Sequence, residues 1–94
     1  MRTIGWTPKS LRAFKHLVRQ NSQQRPAIEQ TLKQLAENPF HPSLRTHKLT
    51  GDLSGIWSCS VDYRIRILFE FVENPETKEE AILLLNVGSH DEVY

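Results

Sequence analysis

The chain has one cysteine, Cys59, so it can close no disulfide within itself and offers no cysteine-rich zinc cluster. No stretch nears the roughly 18 consecutive apolar residues that a bilayer-crossing helix needs, and Arg2 to Trp6 lacks the long apolar core of a secretory signal. A reducing, cytoplasmic setting without membrane contact is expected. The phosphate-cradling G-x-x-x-x-G-K-S/T and G-x-G-x-x-G loops are missing, as are H-E-x-x-H, paired C-x-x-C and the serine-hydrolase elbow. The four histidines, at 16, 41, 47 and 90, stand in no ligand spacing, so neither a metal nor a cofactor is expected. Internal repeats and low-complexity tracts are also absent. At 94 residues there is room for one modest core and hence one domain, residues 1–94.

What the chain does have is charge, unevenly placed. Met1 to Arg66 carries eleven Lys/Arg against four Asp/Glu, whereas Ile67 to Tyr94 carries one against seven, under a net charge of only +1. That polarity can build a basic face that attracts phosphates, although a solvated surface would read the same way.

Arg2 to Trp6 reads as an opening strand, and Thr7-Pro8 as a helix cap followed by proline at the first helical position. Leu11, Phe14, Leu17 and Val18 recur at helical spacing, with Lys9, Arg12, Lys15 and Arg19 turned elsewhere. The polar stretch Gln20 to Gln24 ends this helix. Ile28, Leu32, Leu35 and Ala36 then make a second stripe that stops at Asn38-Pro39, predicting an antiparallel helix hairpin. Beyond a loop over Phe40 to Thr46, a short strand is expected at His47 to Leu49, then a glycine-punctuated turn from Thr50 to Gly55. Ile56 to Val61 and Arg64 to Val72 read as a hairpin turning at Asp62-Tyr63. In its second strand Ile65, Ile67, Phe69 and Phe71 share one face; Arg64, Arg66, Leu68 and Glu70 share the other, which predicts two arginines side by side. After the turn at Asn74-Pro75-Glu76, the apolar run Ala81 to Val87 predicts a strand in mid-sheet, buried on both faces. Ser89-His90-Asp91-Glu92 has the S-x-x-E form of a capping box, which would put His90 and Tyr94 on one side of a terminal turn. The expected fold is α+β: two N-terminal helices packed on a twisted, mainly antiparallel β-sheet.

The chemistry-bearing groups left over suit phosphodiesters. Arg64 and Arg66 share a strand face, His47-Lys48 precedes a glycine turn, and His90 and Tyr94 close the chain. Histidine titrates near neutrality and serves as acid or base. Arginine's planar fork grips two phosphate oxygens. Each residue also has a plainer reading: His47 as a solvated loop residue, the arginines as partners of Glu70 or Glu73, His90 as a polar residue of a terminal turn, Trp57 as core.

Across His47-Lys48-Leu49-Thr50-Gly51, Gly55-Ile56-Trp57-Ser58, Tyr63-Arg64-Ile65-Arg66-Ile67-Leu68-Phe69 and Val87-Gly88-Ser89-His90-Asp91-Glu92-Val93-Tyr94, the chain resembles the RelE/ParE superfamily of bacterial type II toxins, nearest the RelE/YafQ-like branch. The resemblance implies a RelE-like microbial RNase fold and a toxin that inhibits translation as a metal-independent, ribosome-dependent mRNA endoribonuclease. It implies catalytic roles for Arg66, His90, His47 and Tyr94, with Lys48 and Arg64 binding substrate. Its implied partners are a cognate antitoxin, the ribosome and mRNA, with operator DNA reached only through the toxin-antitoxin complex. A ParE-like DNA gyrase inhibitor and an inactive antitoxin-bound co-repressor are the alternatives on the same fold. The last segment is less basic than in RelE proper, and Cys59-Ser60 lacks the basic or histidine side chains that some relatives carry.

Overall fold

A computed structural model describes residues 1–94. In chain order the elements are β1 (Thr3–Trp6), α1 (Pro8–Gln20), α2 (Gln24–Glu37), β2 (His47–Lys48), β3 (Trp57–Ser60), β4 (Ile65–Glu73), β5 (Glu80–Ser89) and α3 (His90–Val93). Single turns of 3-10 helix occupy Pro42–Leu44 and Gly51–Leu53 in the connecting loops. No helix is long and apolar enough to cross a membrane.

The start of α1 follows from its cap. Thr7 Oγ1 accepts from Ser10 N at 3.1 Å, and Ser10 Oγ accepts from Thr7 N at 3.0 Å, so both residues satisfy free donors of the first turn. The Thr7 hydroxyl also donates to the Leu84 carbonyl at 2.9 Å and ties the helix to β5. Phe14, Leu17 and Val18 pack on the core, while Leu11, at the margin of the stripe, is largely exposed.

The five strands are ordered β1-β5-β4-β3-β2, and all neighbours are antiparallel except β1 and β5. The parallel edge corrects one expectation: β4, not β5, is the middle strand, and β5 lies between β4 and β1. Its alternation explains the rest. Ile82, Leu84 and Val87 face α1 and α2 and are buried, but Leu83, Leu85 and Asn86 are only half-buried because neither long helix covers their side, where only the short α3 sits, over Gly88. Leu68 pairs with Asn86 and Phe69 with Leu84, so Leu85 is an extra residue, a β-bulge that sharpens the local twist.

The core joins Ile28 and Leu35 of α2 to Cys59, Ile67, Phe69, Ile82 and Leu84 of the sheet, all at 0% exposure. Each large side chain fully buried there contributes about 1.5–3 kcal/mol relative to exposure. Trp57, half-buried, packs edge-on against Phe40 and Phe71 with ring centroids 5.5 and 5.3 Å away, so it is part of the packing.

Candidate functional site

Because side chains alternate along β4, burying Ile65, Ile67 and Phe69 under the helices sends Arg66 and Leu68 to the opposite face. Register then fills two rows across that face. Ser60, Arg66 and Gly88 form one; His47, Ser58, Leu68 and Asn86 form the other.

Gly88 decides what lies above them. A Cβ there would come within 3.2 Å of Glu92 Oε1 and 3.3 Å of Glu92 Cβ and Val93 Cγ1, so the missing side chain lets α3 seat closely on the sheet. Ser89 caps the turn, and Glu92 Oε1 accepts from Ser89 N at 2.9 Å in a capping box, as the S-x-x-E pattern predicts. These bonds, with the His16 and Arg64 cations nearby, hold the Glu92 carboxyl below its usual range. Val93 is buried beneath the turn.

The turn brings His90 and Tyr94 together, with ring centroids 4.3 Å apart and planes at 85°. The Tyr94 phenol hydrogen-bonds the hydroxyl of Ser58, a residue with 0% exposure directly across from His47. His90 Nδ1 lies 3.6 Å from the Asp91 carboxylate, while both side chains stay open to solvent. His47 is exposed, with Nδ1 at 3.0 Å from the Arg45 carbonyl. A carbonyl only accepts, so Nδ1 is the donor in this contact and Nε2 is the ring nitrogen left facing away from it. Arg66 donates through Nη1 to the carbonyls of Asp62 at 2.6 Å and Ile65 at 3.2 Å, and it forms no ion pair with Glu70 or Glu73. Nε and Nη2 are left uncommitted.

Two expected neighbours are placed elsewhere. Arg64 precedes β4 instead of starting it, since the Asp62 carboxylate accepts from both Arg64 N and Ile65 N at 2.8 Å and tightens the hairpin. Arg64 therefore shares a depression with Tyr63, Ser89, His90 and Asp91, and Arg66 another with Ser43, Arg45, Ser60, Val61, Asp62 and Tyr63. Lys48 is opposite Trp57, itself opposite the buried Phe69, which puts it on the helix side of the sheet with Nζ 5.6 Å from the Trp57 ring centre. It is on the far face from Arg66.

Sequence reasoning missed Tyr63, Arg45 and Ser58. Tyr63, 85% exposed, lines both depressions, and Arg45 adopts the left-handed region with φ 52°. An aromatic residue in a short turn just ahead of Arg64 and Arg66 was the one available signal. No cluster of three His, Cys, Asp or Glu side chains is arranged to hold a metal ion. Cys59 faces the core, where burial pushes its thiol up to about 12 against the opposing pull of Arg66, so it is no nucleophile.

Residues 4–94 match the family model described as the ParE toxin of the type II toxin-antitoxin system parDE. No curated protein matches by sequence. Among solved structures, the YoeB/ParE toxin from Agrobacterium tumefaciens is 18% identical over 94% of this chain and 98% of its own, with a TM-score of 0.76. YafQ from E. coli is 12% identical over 100% and 99% of the two chains, with a TM-score of 0.78. The E. coli DinJ-YafQ toxin-antitoxin complex matches at 14% identity over 99% and 97%, with a TM-score of 0.76. Helices on a mixed, mostly antiparallel five-stranded sheet are the fold of these toxins.

Proposed function

The chain belongs to the ParE toxin family of type II toxin-antitoxin systems; from the side chains gathered on the Arg66 face and the structural likeness to YoeB and YafQ, we propose that it is a ribosome-dependent mRNA endoribonuclease that needs no metal. Its family gives it an antitoxin protein as partner; mRNA and the ribosome are the proposed substrate and platform. The observation that carries the reading is the pairing of Arg66 with Gly88, because the turn bearing His90 and Tyr94 is seated on Gly88. A cation, two imidazoles and a phenol thus share one face, a set suited to 2′-hydroxyl attack on a phosphodiester.

In the proposed reaction His47 Nε2 takes the proton of the substrate's 2′-hydroxyl, O2′ bonds to phosphorus, and Arg66 neutralises the equatorial oxygens as charge develops. The bond from phosphorus to O5′ breaks, and His90 returns a proton to O5′, leaving a 2′,3′-cyclic phosphate and a 5′-hydroxyl. Tyr94, held by Ser58, sets the plane of the His90 ring by edge contact. Arg64 holds flanking phosphates beside His90. Lys48, on the far face, supplies only long-range charge.

Primer extension on mRNA from programmed ribosomes incubated with the purified protein tests this. Cuts within codons that need the ribosome are expected. Intact mRNA together with gyrase-dependent DNA breaks would move the chain to the gyrase-poisoning reading, and inactivity in both assays with retained antitoxin binding would leave a co-repressor.

A further inference from the structure

The depression beside Arg66 has a volume of about 250 Å³ and is lined by Ser43, Arg45, Ser60, Asp62 and Tyr63 as well as by Arg66 itself. That is below the roughly 300–1,000 Å³ of pockets that enclose a small molecule, so a ligand there must lie partly outside. Three features say what it is. Arg45 is exposed, makes no ion pair, and is aimed by a left-handed backbone that a residue with a side chain rarely adopts, φ 52° and ψ 39°. The same residue's carbonyl fixes His47, which couples the depression to the proposed general base. Tyr63 stands 85% exposed on a loop made rigid by the three bonds that Asp62 accepts, two on its carboxylate and one from Arg66 on its carbonyl. An aromatic ring presented by a stiff loop between arginines, with no apolar patch around it, fits the face of a base better than an amphipathic peptide.

We propose that this depression is a nucleotide subsite, in which Arg45, helped by the Ser43 and Ser60 hydroxyls, holds the RNA phosphate adjoining the scissile one and Tyr63 stacks on the neighbouring base. The proposal rests on the RNA-cleaving reading above and assigns that site its substrate contacts. The Asp62 carboxylate lines the same depression, where Arg45 and Arg66 outnumber it, and its Oδ1 is taken up by the backbone donors of Arg64 and Ile65.

The test is binding of a fluorescent single-stranded 2′-O-methyl tetranucleotide, which cannot undergo 2′-hydroxyl attack, so affinity is read whether or not the protein cleaves. Tyr63→Ala should weaken binding about 5- to 100-fold, the range of one lost base stack, and Tyr63→Phe should stay within about twofold. Arg45→Ala should reduce the slope of log affinity against log salt by about 0.7, one single-strand phosphate contact. Both positions are exposed, so the three variants should melt with the wild type. Undetectable binding by the wild type, unchanged affinity in Tyr63→Ala, or an oligoglutamate of equal charge that competes equally well would overturn the subsite. Binding with these mutational effects but without mRNA cleavage would uphold the subsite and sink the endoribonuclease reading. Ribosomal cleavage with unchanged KM in both alanine variants would do the reverse.

Discussion

The Arg66 guanidinium is oriented by carbonyls on its own hairpin at 2.6 and 3.2 Å. Preorganisation of this kind costs nothing at the moment of reaction, which is why removing such a donor is expensive. Arg66→Ala should lower single-turnover cleavage by about 100-fold or more. Arg66→Lys should recover little, because one ammonium cannot keep both the carbonyl bonds and a two-oxygen grip on phosphate. A well-folded Arg66→Ala protein that cleaves at the wild-type rate would remove the main support for this site. The two histidines are separable by the same assay. His47→Gln and His90→Gln should each cost about 10²- to 10⁴-fold in the chemical step with ribosome affinity nearly unchanged. Loss at His47 alone would move both proton transfers to the loop before Gly51; loss at neither would make both side chains structural.

At the level of elements, α3 is the part on which the site depends most, and its four residues have no helical stability of their own. Docking onto Gly88 and the Ser89–Glu92 box hold it. Gly88→Ala puts a methyl group within 3.3 Å of Glu92 and Val93, so it should lift the turn, cost about 1–3 kcal/mol of stability, and reduce cleavage while Arg66 is untouched. Denaturation and the amide spectrum of residues 89–94 report both effects. Acid should loosen the same turn. Glu92 sits below its ordinary 4.5 because the folded chain favours its charged form, so that contribution is complete above about pH 4.5 and fades as pH falls through the lowered native value. Tyr94 resonances should shift over that interval, and Glu92→Gln should abolish the transition; a shift that persists in the variant assigns it to another group. The capping box, the alternation of β4 and the position of Arg66 were legible because each is set by residues within four positions of one another. The parallel pairing of β1 with β5, the bulge at Leu85 and the far-side placement of Lys48 were not, since they depend on which distant strand supplies the neighbour. The departure of Arg64 from Arg66 turned on one carboxylate, Asp62, that alternation does not register.

Over the whole molecule the uneven charge of the sequence becomes a direction. The nine residues of β4 span about 30 Å, with Arg66 near one end and Glu73 at the other. Glu73 is paired across from Glu80, and Glu76 and Glu79 lie in the loop between them, so four of the seven acidic residues of the second half gather at the hairpin end farthest from the site, while Asp91 and Glu92 lie in α3. There only Glu80 is neutralised, by Arg2 at 2.6 Å. An anionic partner is therefore drawn to the Arg66 end and repelled from the hairpin end, and salt screens both effects within about 8–10 Å. The antitoxin that its family assigns to this chain should accordingly present acidic side chains to the Arg45, Arg64 and Arg66 region and cover His90 and Tyr94, inhibiting by occupation. Its binding should raise the melting temperature in proportion to the logarithm of its concentration, about 2.7 kcal/mol of added stability at 100 times Kd. Raising salt should slow association more than it speeds dissociation. Hydrogen exchange of the complex provides the check, with protection expected over residues 43–48, 60–66 and 88–94. Protection confined to residues 70–80, with cleavage intact in the complex, would show that the charge gradient does not choose the antitoxin's surface.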